Sequence, residues 1–158
     1  MGWLFAAVGT ALVLLTGTAC TTATDDPPAS SPAALEVDLA IDAVVTAEGA
    51  VTVAAETNLP DGTELGATLR ASDGSFTAQD RQTVASGTVT FGPFSMRDEP
   101  LPPGHYDVDV TMPIARNQPD AVRAVIGEHG ENLRGAAVGI EEITGDAVVS
   151  MSQVLTIE

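Results

Sequence analysis

Three features of this 158-residue chain predict an all-β fold, an antiparallel β-sandwich with one short helix in a long connection near residues 118–127. Short runs alternate apolar and polar residues with period two, turn-forming residues separate them, and helical periodicity is absent before residue 118. The clearest run is Leu101 to Met112, LPPGHYDVDVTM. Pro102, Pro103 and Gly104 make a turn; Tyr106, Val108, Val110 and Met112 then fall on one face of a strand, with His105, Asp107, Asp109 and Thr111 on the other. One face belongs in a core and one in water.

The remaining elements follow the same logic. Leu35, Val37, Leu39 and Ile41 alternate against Glu36, Asp38, Ala40 and Asp42 as a half-buried strand, and Val51 to Thr57 makes a second with Val51, Val53 and Ala55 inward. Asn58 to Thr63 is a turn, in which Pro60 presets φ and Gly62 supplies a positive φ. Leu65, Ala67 and Leu69 form a third strand, which is followed by an Asp73-Gly74 turn and a short segment around Phe76. Thr88 to Phe91 alternates until Gly92-Pro93, where the proline predicts an edge strand or a bulge.

Pro113 to Gly135 is longer than a sandwich hairpin needs. Within it, Pro119 at the helix start, Asp120 in the first turn, Val122, Val125 and Ile126 at helical spacing and Gly127 as a stop predict two turns of helix packed on the sandwich. Extended segments from Ala136 to Ile143 and from Ala147 to Ile157 flank a Thr144-Gly145-Asp146 hairpin turn. In the last segment Val149, Met151, Leu155 and Ile157 share a face that Gln153 interrupts, and the strand is expected to pair with the Tyr106 strand.

Composition narrows the function. Twenty-two acidic residues against six arginines give a net charge of −16, which repels nucleic acid and anionic lipid head groups. Aromatic residues are only 4% of the chain, so the core of the single domain must come from Val, Leu, Ile and Ala. One cysteine, Cys20, rules out an intramolecular disulfide and a cysteine-rich metal site.

Cys20 follows Leu4 to Ala19, LFAAVGTALVLLTGTA, an uncharged apolar run of signal-peptide length. With Leu15-Thr16-Gly17-Thr18-Ala19-Cys20, the N-terminus resembles that of a bacterial lipoprotein precursor. Ala19 and Thr18 fit the cleavage region, while Gly17 stands where the family usually has Leu, and Met1-Gly2-Trp3 carries no Lys or Arg. The resemblance implies a signal peptide over 1–19, lipid on Cys20 and a cell-membrane location on the extracytoplasmic face. Two or more acyl chains hold a protein stably in a bilayer, at roughly 0.8 kcal/mol per buried methylene. Residues 20–34 then read as the lipidated cysteine and a disordered Pro/Ser/Thr/Ala tether, whose fourteen residues from Thr21 span up to roughly 40 Å when extended.

Residues 35–158 resemble the immunoglobulin-like β-sandwiches of bacterial surface proteins, through NLPDGT between two strands and through PGHYDVDV. The resemblance implies that Tyr106 forms a tyrosine corner, its ring in the core and its hydroxyl on a nearby carbonyl. It carries fold and no activity.

Catalytic and metal chemistry find little footing. Asp107 and Asp109 stand roughly 7 Å apart on one strand face, a spacing found in glycosidase pairs, but an exposed sheet face offers no cleft. His105 and His129 lack zinc spacing, no calcium loop occurs, and the serines have no Gly-x-Ser-x-Gly context. No enzyme activity, cofactor, metal or catalytic residue is expected. The connection offers Arg116, Asn117, Arg123, His129, Asn132 and Arg134 as partner-binding residues in a locally neutral segment; its Gln118 is a further polar group. Alternatively, the helix merely caps the sandwich and the arginines pair with nearby acids. The expectation is a lipid-anchored binding or accessory module of the cell envelope, meeting a protein or glycan partner. The competing readings are a carbohydrate-processing enzyme using Asp107 and Asp109, and a structural spacer.

Overall fold

The computed structural model describes residues 33–158, and these form an all-β sandwich with one short α-helix. The predicted signal peptide, Cys20 and the tether as far as residue 32 lie outside the described residues. In chain order the strands are β1 (Leu35–Glu36), β2 (Leu39–Val45), β3 (Val51–Thr57), β4 (Glu64–Ala71), β5 (Thr77–Thr83), β6 (Thr88–Phe94), β7 (Gly104–Met112), β8 (Leu133–Arg134), β9 (Val138–Ile140) and β10 (Ala147–Ile157). A 3-10 turn (Ala115–Asn117) and helix α1 (Asp120–Ile126) occupy the connection after β7.

Two antiparallel sheets face each other, one ordered β2-β3-β6 and the other β5-β4-β7-β10-β9. The chain crosses between sheets from β3 to β4, from β5 to β6 and from β6 to β7. Alternation explains the packing. Val51, Val53 and Ala55 of β3, Leu65, Ala67 and Leu69 of β4, and Tyr106, Val108, Val110 and Met112 of β7 all point into one core. Each buried Val, Leu or Met among them contributes about 1.5–3 kcal/mol of transfer free energy.

The Tyr106 strand is as predicted. Its ring is buried, its hydroxyl donates to the Pro102 carbonyl at 2.8 Å, and Phe76 meets it edge to face at 6.4 Å and 72°. β10 pairs with β7 from Val149↔Met112 to Ile157↔Gly104 in unbroken register, so Gln153 causes no bulge. Pro93 lies on the edge strand β6, where one extra residue opposes β3 between Val51 and Val53.

Elsewhere the structure differs. The first predicted strand breaks at Val37-Asp38: Leu35 and Glu36 pair in parallel with Leu133 and Arg134, and β2 starts afresh at Leu39 beside β3. The Asn58 side chain covers the break, accepting from Asp38 N–H at 2.9 Å and donating to the Glu36 carbonyl at 2.6 Å. The segment after Phe76 is a full strand, β5, whose polar sequence TAQDRQT is exposed along most of its length and so shows no alternation. The expected strand from Ala136 to Ile143 shortens to Val138–Ile140, because Glu141 to Asp146 closes a tight turn with hydrogen bonds from Glu141 N–H to Asp146 and from Gly145 N–H to Glu141.

Candidate functional site

The connection between β7 and β9 folds back over one end of the sandwich, and its own residues show how. Helix α1 buries Val122 and Ile126, while Val125, expected in the same stripe, is 46% exposed. Gly127 ends the helix at φ +94°, and Gly130, at φ +77°, passes so close to Ala147 that a Cβ would lie 2.5 Å from the alanine's own. Gln118 is buried beneath this layer. Its side-chain amide accepts from the Glu64 N–H at 2.8 Å and donates to the Glu64 carbonyl at 3.0 Å, so it stands beside the first residue of β4 like one more strand residue.

At the centre lies Asp146, whose side chain is 0% exposed. His129 Nδ1 sits 2.6 Å from its Oδ1, and Arg116 Nε lies 2.7 Å from Oδ2 as an ion pair whose N–H points off the line to that oxygen. The Asp146 backbone N–H donates to the Thr144 hydroxyl, and the Ala147 N–H donates to the His129 carbonyl. Desolvation pushes the Asp146 carboxyl up, but the adjoining Arg116 guanidinium and the polar contacts of His129 and Thr144 outweigh it and hold the carboxyl below its ordinary range. The group is therefore an ionised acceptor, which fixes the proton of His129 on Nδ1 and turns Nε2 away from it. The side chains of Arg116 and His129 remain 43% and 59% exposed, so each is gripped from within and open outward.

The predicted binding residues divide accordingly. Arg116 and His129 meet on Asp146, and exposed Asn117 is next to Arg116 in the 3-10 turn. Arg123 pairs with Asp120 and Glu128, which raises its already high pKa through the Asp120 hydrogen bond. Asn132 donates to the Val125 carbonyl at 2.9 Å, and Arg134 donates to the Glu131 carbonyl at 2.7 Å, so both brace the connection. Arg123, Asn132 and Arg134 thus follow the capping alternative. Sequence reasoning read Asp146 as an ordinary turn acid; its partners come from distant points of the chain and leave no local signal. The adjacent turn exposes Ile140 on β9 and, at 92%, Ile143.

Asp107 and Asp109 lie on the open face of the five-stranded sheet beside a hollow of about 250 Å³ shared with Arg70 and Ser152. The Ser152 hydroxyl donates to Asp109 at 2.6 Å. On the outside of the other sheet a hollow of about 580 Å³ is bordered by Asp38 and Glu56 and by no Arg or Lys side chain. Among the described residues, no three His, Cys, Asp or Glu side chains group to hold a metal ion, and no helix is long and apolar enough to cross a membrane. Comparison with family models, curated proteins and solved structures finds no match to this chain.

Proposed function

We propose that the protein is a lipid-anchored, extracytoplasmic binding or accessory module and not an enzyme, with its partner-binding surface at the end of the sandwich capped by the connection. One observation carries this reading: buried Asp146 holds Arg116 and His129 in fixed positions while their outer edges face water. Side chains held before a partner arrives lose little conformational freedom on binding. Asn117 beside Arg116 and the exposed Ile143 of the neighbouring turn add a hydrogen-bonding and an apolar contact, the mixture found at interfaces with proteins. Cys20 after the apolar run supports the anchor.

The test is a photoreactive side chain placed at Asn117 or Ile143 in living cells, with Ala54 on the outer face of the opposite sheet as control. A crosslink to one partner from the first two positions, lost in Arg116→Ala, is expected. Crosslinks equal at all three positions, or unaffected by Arg116→Ala, refute the surface. Cys20→Ala is expected to release the protein from membranes; retention refutes the anchor.

A further inference from the structure

The last strand leaves one side open. Successive residues of a strand direct their N–H and C=O groups to opposite sides. Ser150 N–H bonds to the Ala137 carbonyl at 2.9 Å, on the side away from β7. Ser152, Val154 and Thr156 therefore face that same side, but β9 ends alongside Ala147–Val149 and no further strand accompanies β10 among the described residues. Three backbone donors and three acceptors stand in a row. β2 of the other sheet runs close beside β10 but does not join its ladder, so the backbone groups of Ser152, Val154 and Thr156 have no strand partner.

Edges of this kind are normally blunted by charge, proline or a bulge. Ser150 to Ile157, SMSQVLTI, has no charge, no proline and no glycine, and its register with β7 is unbroken. Val154 is 65% exposed in its middle, Met151 and Leu155 are half-buried on the inner side, and between them Gln153 carries a buried Oε1 with no hydrogen-bond partner.

We propose that this edge pairs with the same edge of a second copy of the chain, antiparallel about Val154. Val154 then faces Val154, and Ser152 faces Thr156, so that the three donors of each chain meet the three acceptors of the other and the two five-stranded sheets become continuous. A second copy fits where other occupants do not. Antiparallel edge pairing is self-complementary under a twofold axis. In a chain of net charge −16 the strip from Ser150 to Ile157 itself carries no charge, so the residues that face each other across the new ladder bring no two carboxylates into opposition. The chain's own tether carries Pro27, Pro28 and Pro32, which have no N–H to donate.

Val154→Cys in the full chain with Cys20→Ala, in detergent, tests the pairing. Facing residues of a hydrogen-bonded pair have Cα atoms about 5.5 Å apart, within disulfide reach. Mild oxidation is expected to link Val154→Cys to itself, and to link Ser152→Cys to Thr156→Cys in a mixture more than either to itself. Sedimentation of the thiol-free chain should show dimers that strengthen with salt, because screening relieves the repulsion of two acidic bodies. Val154→Lys and Ser152→Lys, both on exposed positions, should each weaken dimerisation at least about tenfold with the circular dichroism unchanged. A monomeric chain, a dimer indifferent to both lysines, or an edge freed for pairing only when residues 21–32 are deleted overturns the proposal, the last by making the tether the occupant.

Discussion

Removing one oxygen atom tests how the turn before β7 is held. In Tyr106→Phe the ring stays in the core and keeps its edge-to-face contact with Phe76, while the 2.8 Å hydrogen bond to the Pro102 carbonyl is lost. Pro102 is exposed, so its freed carbonyl turns to water and no buried acceptor is orphaned. The cost is then that of one neutral hydrogen bond, about 1 kcal/mol, or roughly 3–5 °C in Tm for a domain of this size. Tyr106→Ala also empties a ring-sized cavity and should cost about 3–5 kcal/mol. Since the hydroxyl takes no part in the ring contact, Tyr106→Phe and Phe76→Leu should add to within about 0.5 kcal/mol. Tyr106 is the only tyrosine and the only tryptophan, Trp3, precedes the domain, so urea unfolding is best followed by far-UV circular dichroism. A Tyr106→Phe variant as stable as the parent, or strong coupling to Phe76→Leu, would refute this account of the turn.

Three further outcomes are expected. Gln118→Ala leaves the backbone N–H and C=O of Glu64 without the amide and should cost about 2–3 kcal/mol for two hydrogen bonds; hydrogen exchange of Glu64 should accelerate, and unchanged exchange counts against the bridge. Gly74→Ala meets open space and should cost only its left-handed backbone, about 1–2 kcal/mol, whereas Gly130→Ala adds a collision with Ala147 and should cost about 1–3 kcal/mol more; equal unfolding midpoints would show that the connection yields freely. The Ser75 hydrogen bonds lower the pKa of Asp73, the Gly92 N–H that of Asp80, backbone N–H groups that of Glu131, and the Thr144 N–H that of Glu141, and Asp146 is lowered as well. Each group binds protons more readily unfolded, so its stabilisation is present above the unfolded carboxylate pKa and is lost as pH falls below about 4; urea midpoints that stay constant from neutral pH to about pH 3 would contradict the shifts.

Legibility in the sequence followed the physics of burial. β3, β7 and β10 each bury one face, and the period-two pattern placed them with little error. β5 lies at a sheet edge with water around it, so TAQDRQT had no pattern to read. The parallel pair of Leu35–Glu36 with Leu133–Arg134 joins segments far apart in the sequence and is only two residues long, below what any periodicity can show. Among the candidate residues, Arg116 and His129 were found as polar groups of the connection, but their common anchor was not. Asp146 looks like a turn acid locally and becomes a buried carboxylate only when the connection folds over it. Gln118 was counted among groups able to meet a partner; it instead spends its amide on Glu64.

The short parallel pair at the chain's entry also decides how the domain carries mechanical load. Tension arriving through Ala33 is met first by the bonds from Leu35 N–H to Asn132 and from Val37 N–H to Arg134, with the Asn58 side chain gripping the residues between and beyond. These bonds fasten the entering strand to the connection and to the end of β3, not to β2 alone. A pull on the N-terminal side must therefore break this clasp before β2 can be stripped from β3, and the core behind Tyr106 is shielded until it does.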